Sequence, residues 1–153
     1  MQMLDTYLYD TEVGWMGGRV GYLRSSADLP VLEVSSPAEF NGQAHTWTPE
    51  HLFVASLNSC YLATFVAIAE LSKIDFVSFT CTAVGKLERA EGQHYRITEV
   101  ILRPTLVLSD GTELNLANKA LEKAGKNCFI ANSILTTVKV EPEIELLEVG
   151  EQV

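Results

Sequence analysis

The chain has 153 residues, of which 47% are hydrophobic and 20% charged, and its 20 acidic residues outnumber the 11 basic ones to give a formal net charge of −9. This composition is typical of one globular domain with a substantial core, and it excludes wholesale disorder. The acidic balance argues against nucleic acid as a partner, because a phosphate backbone requires a basic surface.

The first predicted segment, residues 5–48, is a β-hairpin region. Tyr7, Tyr9 and the apolar residues that follow them as far as Leu23 indicate strands, and Val31–Val34 continues the pattern after a turn. Glycines at positions 14, 17, 18, 21 and 42 are typical of hairpins with bulges. The N-terminus has no basic run followed by an apolar run, so no signal peptide is predicted and a cytoplasmic location is expected.

The second segment, residues 49–72, is predicted to be one long helix. Thr48 is a suitable N-cap, Pro49 suits the first helical position, and Glu50 is favourable at the positive end of the helix dipole. The run from Leu52 to Leu71 is apolar on nearly every face, which predicts burial on all sides. A membrane span is the competing interpretation, but the acidic flanks and the polar residues in mid-helix argue against it. A second subunit covering one side of this helix is the economical solution.

The third segment begins with a predicted β-hairpin, residues 76–108, in which the strands 76–88 and 94–107 alternate with period two. The C-terminal helices and strand are predicted over residues 114–149. They comprise an amphipathic helix at 114–126, a short helical turn at 128–134, and a closing strand built from 138–140 and 144–149. The order of elements predicts a single domain over residues 1–153, of the α+β class, with antiparallel sheets packed on a long buried central helix.

Cys60, Cys81 and Cys128 are the residues most able to carry chemistry. Cys60 lies in the middle of the central helix beside polar neighbours, and it is either a nucleophile or a small buried hydrophobe. Cys128 follows Lys123 and Lys126 at the start of a predicted helical turn, where a helix N-terminus and cations would favour the thiolate. Cys81 lies in an alternating strand and is interpreted as a packing residue.

Other kinds of site receive little support from the sequence. The histidines at positions 45, 51 and 94 are scattered, so no metal site is predicted. Arg19 follows two glycines that could direct its side chain inward, and Glu50 lies at the start of the central helix. Taken alone, each of these two charges also fits a solvated surface residue.

Four segments form a recognisable set: Gly17–Gly21, Pro37–Gly42, Thr48–Cys60 and Cys128–Ser133. Together they resemble the OsmC/Ohr (organic hydroperoxide resistance) superfamily. They occur in that family's order and approximate spacing, and the resemblance extends from Trp15 to about Val149.

The resemblance implies an OsmC-like fold in an intertwined homodimer and a thiol-dependent reduction of organic hydroperoxides. Cys60 would be the attacking cysteine and Cys128 the resolving one, while Arg19 would hold the thiolate and the peroxide and Glu50 would position the arginine. No cofactor, metal or flavin is implied, since electrons come from an external thiol reductant such as lipoyl groups. Neither nucleic acid nor membrane is expected as a partner.

One position departs from the pattern of the Ohr branch, and it bears on the substrate. Members of the Ohr branch usually carry proline directly after the second cysteine, whereas this chain has Phe129. An apolar pocket lined by Tyr61, Phe65 and Phe129 would suit an organic peroxide.

Helix geometry adds an expectation about the assembly. Glu50 and Cys60 are ten residues apart on one helix, which corresponds to ~15 Å along its axis. Arg19 could not easily reach both in one chain, so the site is expected to combine Glu50 of one subunit with Cys60 of the other. A non-catalytic module that binds a small apolar ligand, and a peroxide sensor that passes its disulfide to another protein, are the alternatives to an enzyme.

Overall fold

The computed structural model describes residues 1–147 and shows strands and helices in the expected order. Two short 3-10 turns, Ala38–Phe40 and Ala131–Ser133, accompany them. The chain divides into two compact units, Met1–Leu52 and the part from Phe53 onward, and the features of each unit are given by themselves. The single domain over residues 1–153 stays a prediction. The elements are β1 (Glu12–Gly17), β2 (Val20–Arg24), β3 (Leu32–Ser35), α1 (Pro49–Leu71), β4 (Phe76–Glu88), β5 (Arg96–Leu108), α2 (Leu114–Asn127), β6 (Thr137–Val140) and β7 (Glu143–Leu146).

The first unit contains an antiparallel sheet in the order β1-β2-β3. Gly17 and Gly18 have positive φ values of 119° and 54°, a conformation that glycine adopts without steric cost, and they turn the chain into β2. The prediction that the strands begin near residue 5 is wrong, because residues 1–11 have no regular structure. Tyr7 and Tyr9 are exposed there, so their alternation does not give these residues a buried face that would stabilise a strand.

Helix α1 begins as predicted and ends one residue earlier than expected. The hydroxyl of Thr48 accepts a hydrogen bond from the backbone amide of His51 at 3.1 Å, which caps the helix. Beyond Leu71, Lys73 adopts a left-handed φ of 53°, and this conformation terminates the helix.

Only one stripe of α1 is buried within the chain, which corrects the expectation of burial on all sides. The stripe consists of residues four positions apart, whereas Leu62 and Leu71 are exposed. With 23 residues and a mean hydropathy of 1.8, α1 is long and apolar enough to cross a membrane, a property that core helices of water-soluble proteins share. The buried residues are Leu57, Tyr61, Phe65 and Ala69.

The second unit contains a four-stranded sheet that is mixed rather than wholly antiparallel. β4 and β5 form the predicted antiparallel hairpin, and β6 and β7 both pair with β5 in parallel. The single closing strand of the prediction is therefore two strands, each covering a different part of β5. Pro142 separates them, because proline has no backbone N–H to continue a ladder. Residues 148 and 149 of the predicted strand lie outside the described residues.

The core of the second unit lies between α1, α2 and one face of the sheet. The buried stripe of α1 packs there with two further sets of apolar residues, so the predicted α+β class is confirmed. These sets are Val100, Leu102, Leu106 and Leu108 of β5 and Ala117, Ala120, Leu121 and Ala124 of α2.

Candidate functional site

Cys60 and Cys128 are in contact, although they are far apart in the sequence. Cys60 lies near the middle of α1, and Cys128 is the C-cap residue of α2. Both thiols are free, and they are hydrogen-bonded to each other. Cys128 is only 1% exposed, whereas Cys60 is partly buried at the edge of the core. The fold therefore places two thiols in reacting proximity.

The surroundings of Cys60 favour its thiolate. Burial alone would raise the pKa of this thiol, but hydrogen bonds outweigh burial and hold the pKa below its ordinary value. The donors are the Cys128 thiol, the backbone amides of Ile130 and Phe129, and the Thr64 hydroxyl. A lowered pKa increases the fraction of the nucleophilic form near neutral pH.

The surroundings of Cys128 favour its protonated form. Burial, followed by the hydrogen bond to Cys60, raises the pKa of Cys128, and the amides of Ala131 and Ile130 oppose this only in part. The amides at the start of the turn after Cys128 act in the direction that the sequence predicted, but burial and the neighbouring Cys60 thiol outweigh them. Cys128 is the C-cap residue of α2. The nearby Lys126 forms an ion pair with Glu122, with 2.7 Å between Nζ and Oε1.

The turn after Cys128 is fixed by two polar side chains. The Asn132 side-chain amide donates to the carbonyls of Lys126 and Cys128 at 3.0 and 3.1 Å, and its backbone amide also donates to the Cys128 carbonyl. The Ser133 hydroxyl donates to the Phe129 carbonyl at 2.7 Å. These bonds join the end of α2 to the amides that face Cys60.

Thr64 is a site residue that the sequence reasoning missed. It lies four positions after Cys60 and therefore on the same side of α1. Its hydroxyl donates to the Cys60 carbonyl at 2.8 Å and also lies within hydrogen-bonding reach of the Cys60 sulfur. The available signal was its spacing: a polar side chain one helical turn from a cysteine, in an otherwise apolar run.

Cys81 has a different environment from the other two cysteines. It packs against the core of the second unit, and burial raises its pKa to about 11. Its backbone carbonyl accepts a hydrogen bond from the side-chain amide of Asn58 at 2.9 Å. These features fit the packing role that the strand pattern indicated.

Of the three residues predicted to line an apolar pocket, only Phe129 is accessible. Tyr61 and Phe65 are fully buried, with the Tyr61 hydroxyl donating to the Leu121 carbonyl at 2.9 Å and Phe65 stacking on Phe79 at 4.9 Å. They point into the core because they share the buried stripe of α1, so they cannot line a pocket in this conformation. Phe129 is 80% exposed, and its backbone amide faces Cys60.

Arg19 lies in the first unit, in the turn between β1 and β2. It is exposed and borders an open cavity of about 500 Å³, together with Trp15, Val20, Val34 and Pro49. Within residues 1–147 it forms no ion pair with an acidic side chain. Its guanidinium group remains available to bind an anion or a polar ligand.

Glu50 occupies the first turn of α1 in the first unit. Its Oε2 atom is buried and has no hydrogen-bond partner among the described residues. An unpaired buried carboxylate oxygen is costly, so this position calls for a donor. Glu50 and Arg19 do not form an ion pair within the described part of the chain, and their predicted cooperation with Cys60 across a dimer stays a prediction.

The chain matches the family model of OsmC-like proteins over residues 42–143, which include Cys60 and Cys128. It is 26% identical to the uncharacterized protein YmaD of Bacillus subtilis (strain 168), over 97% of this chain and all of that protein.

Two solved structures illustrate the structural likeness. An OsmC-like protein of unknown function from Vibrio cholerae superposes with a TM-score of 0.82 at 27% identity, covering 90% of this chain and 99% of that one. An organic hydroperoxide resistance protein from Elizabethkingia anophelis has the same fold, with a TM-score of 0.75 at 23% identity and coverage of 95% and 100%. With two thirds of its residues within the matched family model, the chain belongs to the family of OsmC-like proteins.

Proposed function

We propose that this chain reduces organic hydroperoxides to alcohols, with Cys60 as the attacking thiolate and Cys128 as the resolving thiol. The observation that carries the proposal is the contact between one thiol with a lowered pKa and a second thiol that donates a hydrogen bond to it. Family membership supports a peroxide-related role, because similar folds include organic hydroperoxide resistance proteins from Elizabethkingia anophelis and Legionella pneumophila.

In the first step, the Cys60 thiolate attacks the terminal oxygen of the hydroperoxide. An S–O bond forms and the O–O bond breaks, so the sulfur is oxidised to sulfenic acid and the departing alkoxide takes a proton to become the alcohol. In the second step, the sulfur of Cys128 attacks that of Cys60 and releases water, which leaves a Cys60–Cys128 disulfide. A dithiol reductant then returns two electrons by thiol–disulfide exchange.

The asymmetry between the two thiols suits this sequence of steps. The lowered pKa of Cys60 increases its thiolate fraction for attack on the peroxide, while the raised pKa and the burial of Cys128 disfavour attack by that thiol on the same oxidant. The exposed ring of Phe129 offers apolar contact to an organic substituent on the peroxide.

Arg19 and Glu50 complete the proposed site across a homodimer. Arg19 would bind the peroxide and stabilise the departing alkoxide, and Glu50 would orient the guanidinium group. The buried, unpaired Oε2 atom of Glu50 supports a cationic partner at that position. We further propose a cytoplasmic location, where reducing conditions keep the thiols free and supply a reductant such as dihydrolipoyl groups.

Peroxide consumption with dihydrolipoamide or dithiothreitol as reductant tests the proposal. Cumene hydroperoxide should be turned over by the parent chain and by Cys81→Ser, which serves as the matched control. Cys60→Ser should be inactive because the nucleophile is absent. Cys128→Ser should accumulate a sulfenic acid at Cys60 that dimedone traps and mass spectrometry identifies.

Three outcomes would contradict the proposal. Unchanged turnover in both Cys60→Ser and Cys128→Ser would exclude the two-cysteine mechanism. Thiols inert to peroxide would favour a binding module. A stoichiometric Cys60–Cys128 disulfide that dithiols reduce too slowly for turnover would favour a sensor.

A further inference from the structure

A groove of about 620 Å³ lies between α2 and β6 within the second unit. One wall is the Asn115–Lys126 side of the helix and the other is the Val138–Pro142 side of the strand, and we call it the α2–β6 groove. Its volume is in the range of small-molecule sites, about 300–1,000 Å³. The described residues that line it include neither of the two site cysteines nor Phe129, so the groove is distinct from the two-thiol site.

The strand wall of the α2–β6 groove is apolar. Val138 and Val140 of β6 line it, together with Pro142 just after the strand. A Cβ atom at Gly125 would lie 3.1 Å from Cγ2 of Val140, so the helix and the strand meet there with no glycine side chain between them. An apolar wall favours a ligand with a hydrocarbon part, because the contact removes apolar surface from water.

The helix wall of the groove carries a net positive charge. Lys119 has no acidic partner at ion-pairing distance between Met1 and Leu147, whereas the other lysine of this wall, Lys126, is paired with Glu122. The wall therefore presents one uncompensated cation, in a chain of formal net charge −9. A local charge of this sign attracts an anion, and a single cation matches a carboxylate better than a phosphate group, which carries nearly two charges.

Two asparagines accompany Lys119 on the helix wall. Asn118 donates one amide hydrogen to the Leu114 carbonyl at 3.2 Å, and the second hydrogen of that group stays available to a ligand. Asn115 lies one helical turn before Lys119 and therefore on the same side of α2. An ammonium group with neighbouring amide donors can hold a carboxylate through charge-assisted and neutral hydrogen bonds together.

We propose that the α2–β6 groove binds an amphiphilic monocarboxylate such as a medium-chain fatty acid, with the carboxylate at Lys119 and the hydrocarbon chain on the apolar strand wall. The helix wall from Asn115 to Lys126 extends over ~16 Å, which suits an elongated ligand. This binding site goes beyond the proposed function, since neither thiol takes part in it.

Replacement of Lys119 tests the carboxylate contact. Binding of decanoate is measured by isothermal titration calorimetry, below the concentration at which decanoate forms micelles, and the parent should bind one molecule per chain. Lys119→Gln should bind about tenfold more weakly, because a neutral hydrogen bond replaces a charge-assisted one. Lys123→Gln is the matched control, since it removes the same charge one turn further along α2, outside the groove lining, and it should bind as the parent does. The neutral analogue 1-decanol should bind equally to the parent and to Lys119→Gln.

Replacement of Asn118 tests the groove itself. Asn118 is exposed, so Asn118→Trp fills the groove with an indole ring and leaves the core unchanged. This variant should bind neither decanoate nor 1-decanol. Asn127→Trp makes the same change at an exposed position of α2 that does not line the groove, and it should keep the parent affinity.

Four results would overturn the proposal. Equal weakening in Lys119→Gln and Lys123→Gln would indicate a general attraction to the charge of α2, and parent-like binding by Asn118→Trp would place the ligand outside the groove. Protection of Cys60 from alkylation by iodoacetamide would place decanoate at the two-thiol site. A parent chain without saturable binding would leave no site at all. Thermal unfolding identifies any variant that fails to fold, and Lys119→Gln, a change at an exposed position, then decides together with its control. Since peroxide is absent from these assays, their outcome is independent of the proposed reaction.

Discussion

At the scale of single residues, the three cysteines of this molecule occupy three different environments. Hydrogen bonds hold the pKa of Cys60 below its ordinary value, whereas burial first and a neighbouring thiol second raise that of Cys128. Cys81 has no comparable set of donors, and burial raises its pKa to about 11. Composition alone could not distinguish these roles, because burial and donors are properties of the fold.

The raised pKa of Cys81 predicts an alkaline loss of stability. An unfolded thiol ionises near pH 9, while the folded one keeps its proton to about pH 11. Between these values the folded state binds more protons than the unfolded state, so the free energy of unfolding falls as pH rises. Urea denaturation at pH 8 and pH 10.5 gives the change in the free energy of unfolding between these two pH values. This change should be smaller in Cys81→Ala than in the parent, by on the order of 1 kcal/mol after allowance for partial exposure.

Tyr61 and Cys128 are competing sources of such a loss, since burial also raises their pKa values. The comparison of the parent with Cys81→Ala is unaffected by Cys128, which both chains retain. Tyr61→Phe with Cys81 retained separates the two contributions. If Cys81→Ala and the parent respond identically to pH, the thiol is not protected from ionisation in the folded state.

At the scale of elements, the sequence was most informative where one local signal decided the structure. Thr48 and Pro49 mark the observed start of α1, and strict alternation identified β4 over its full length. The parallel pairing of β6 and β7 with β5 could not be predicted, because the residue pattern of a strand does not determine which strand it pairs with. The helical run was apolar all round, so it gave no sign that Tyr61 would face the core.

The site was predictable to a similar extent. The resemblance to a family selected Cys60 and Cys128, and the fold brings them together. It could not reveal Thr64 or the amide of Phe129, because a donor to sulfur is recognised only when the turn of α1 and the turn after α2 are seen side by side. Tyr61 and Phe65 were misjudged because nearness to Cys60 in sequence does not fix the direction of a helical side chain.

The packing of α1 against β4 predicts that Gly85 cannot be replaced without cost. A methyl group at this position would lie 2.5 Å from Cγ2 of Val54, and a branched side chain on a helix has little freedom to move away. Gly85→Ala should lower the free energy of unfolding by about 1–3 kcal/mol. In the Val54→Ala background the same substitution should cost much less, as measured by urea denaturation in a double-mutant cycle.

Gly92 provides the matched control for this cycle. Gly92→Ala introduces the same methyl group at a position with φ of 72° and no atoms within 4 Å. Its cost arises from backbone conformation and should be independent of Val54. Equal coupling of both glycines to Val54→Ala would mean that contact with α1 is not the cause.

At the scale of the whole molecule, two features leave the proposed site incomplete in one chain. Helix α1 leaves much of its apolar surface exposed, including Leu62, and the Oε2 atom of Glu50 is buried without a partner among the described residues. A second copy packed on α1 would cover the apolar surface and could bring the missing donor to Glu50. This is the homodimer that we propose.

Subunit exchange tests whether a site uses residues of both chains. Cys60→Ser and Glu50→Ala homodimers should each show little turnover. Mixing them under conditions of exchange forms heterodimers in which one site has an intact Cys60 facing an intact Glu50 of the other chain, and activity should rise to about a quarter of the parent value. No recovery, with exchange verified by native mass spectrometry, would place Glu50 and Cys60 of the same chain together. A monomer in light scattering would exclude the dimer altogether.

The contact between Cys60 and Cys128 joins positions 68 residues apart, and this span has a thermodynamic consequence. A disulfide between them would close a long loop in the unfolded chain and reduce its entropy, which stabilises the folded state by about 4 kcal/mol in the loop-closure model. The oxidised protein should therefore melt well above the reduced one. The melting temperature therefore reports how much of the protein has been oxidised. A panel of peroxides could be ranked by incubating the reduced protein with each compound and measuring its melting temperature, without a coupled assay or knowledge of the natural reductant.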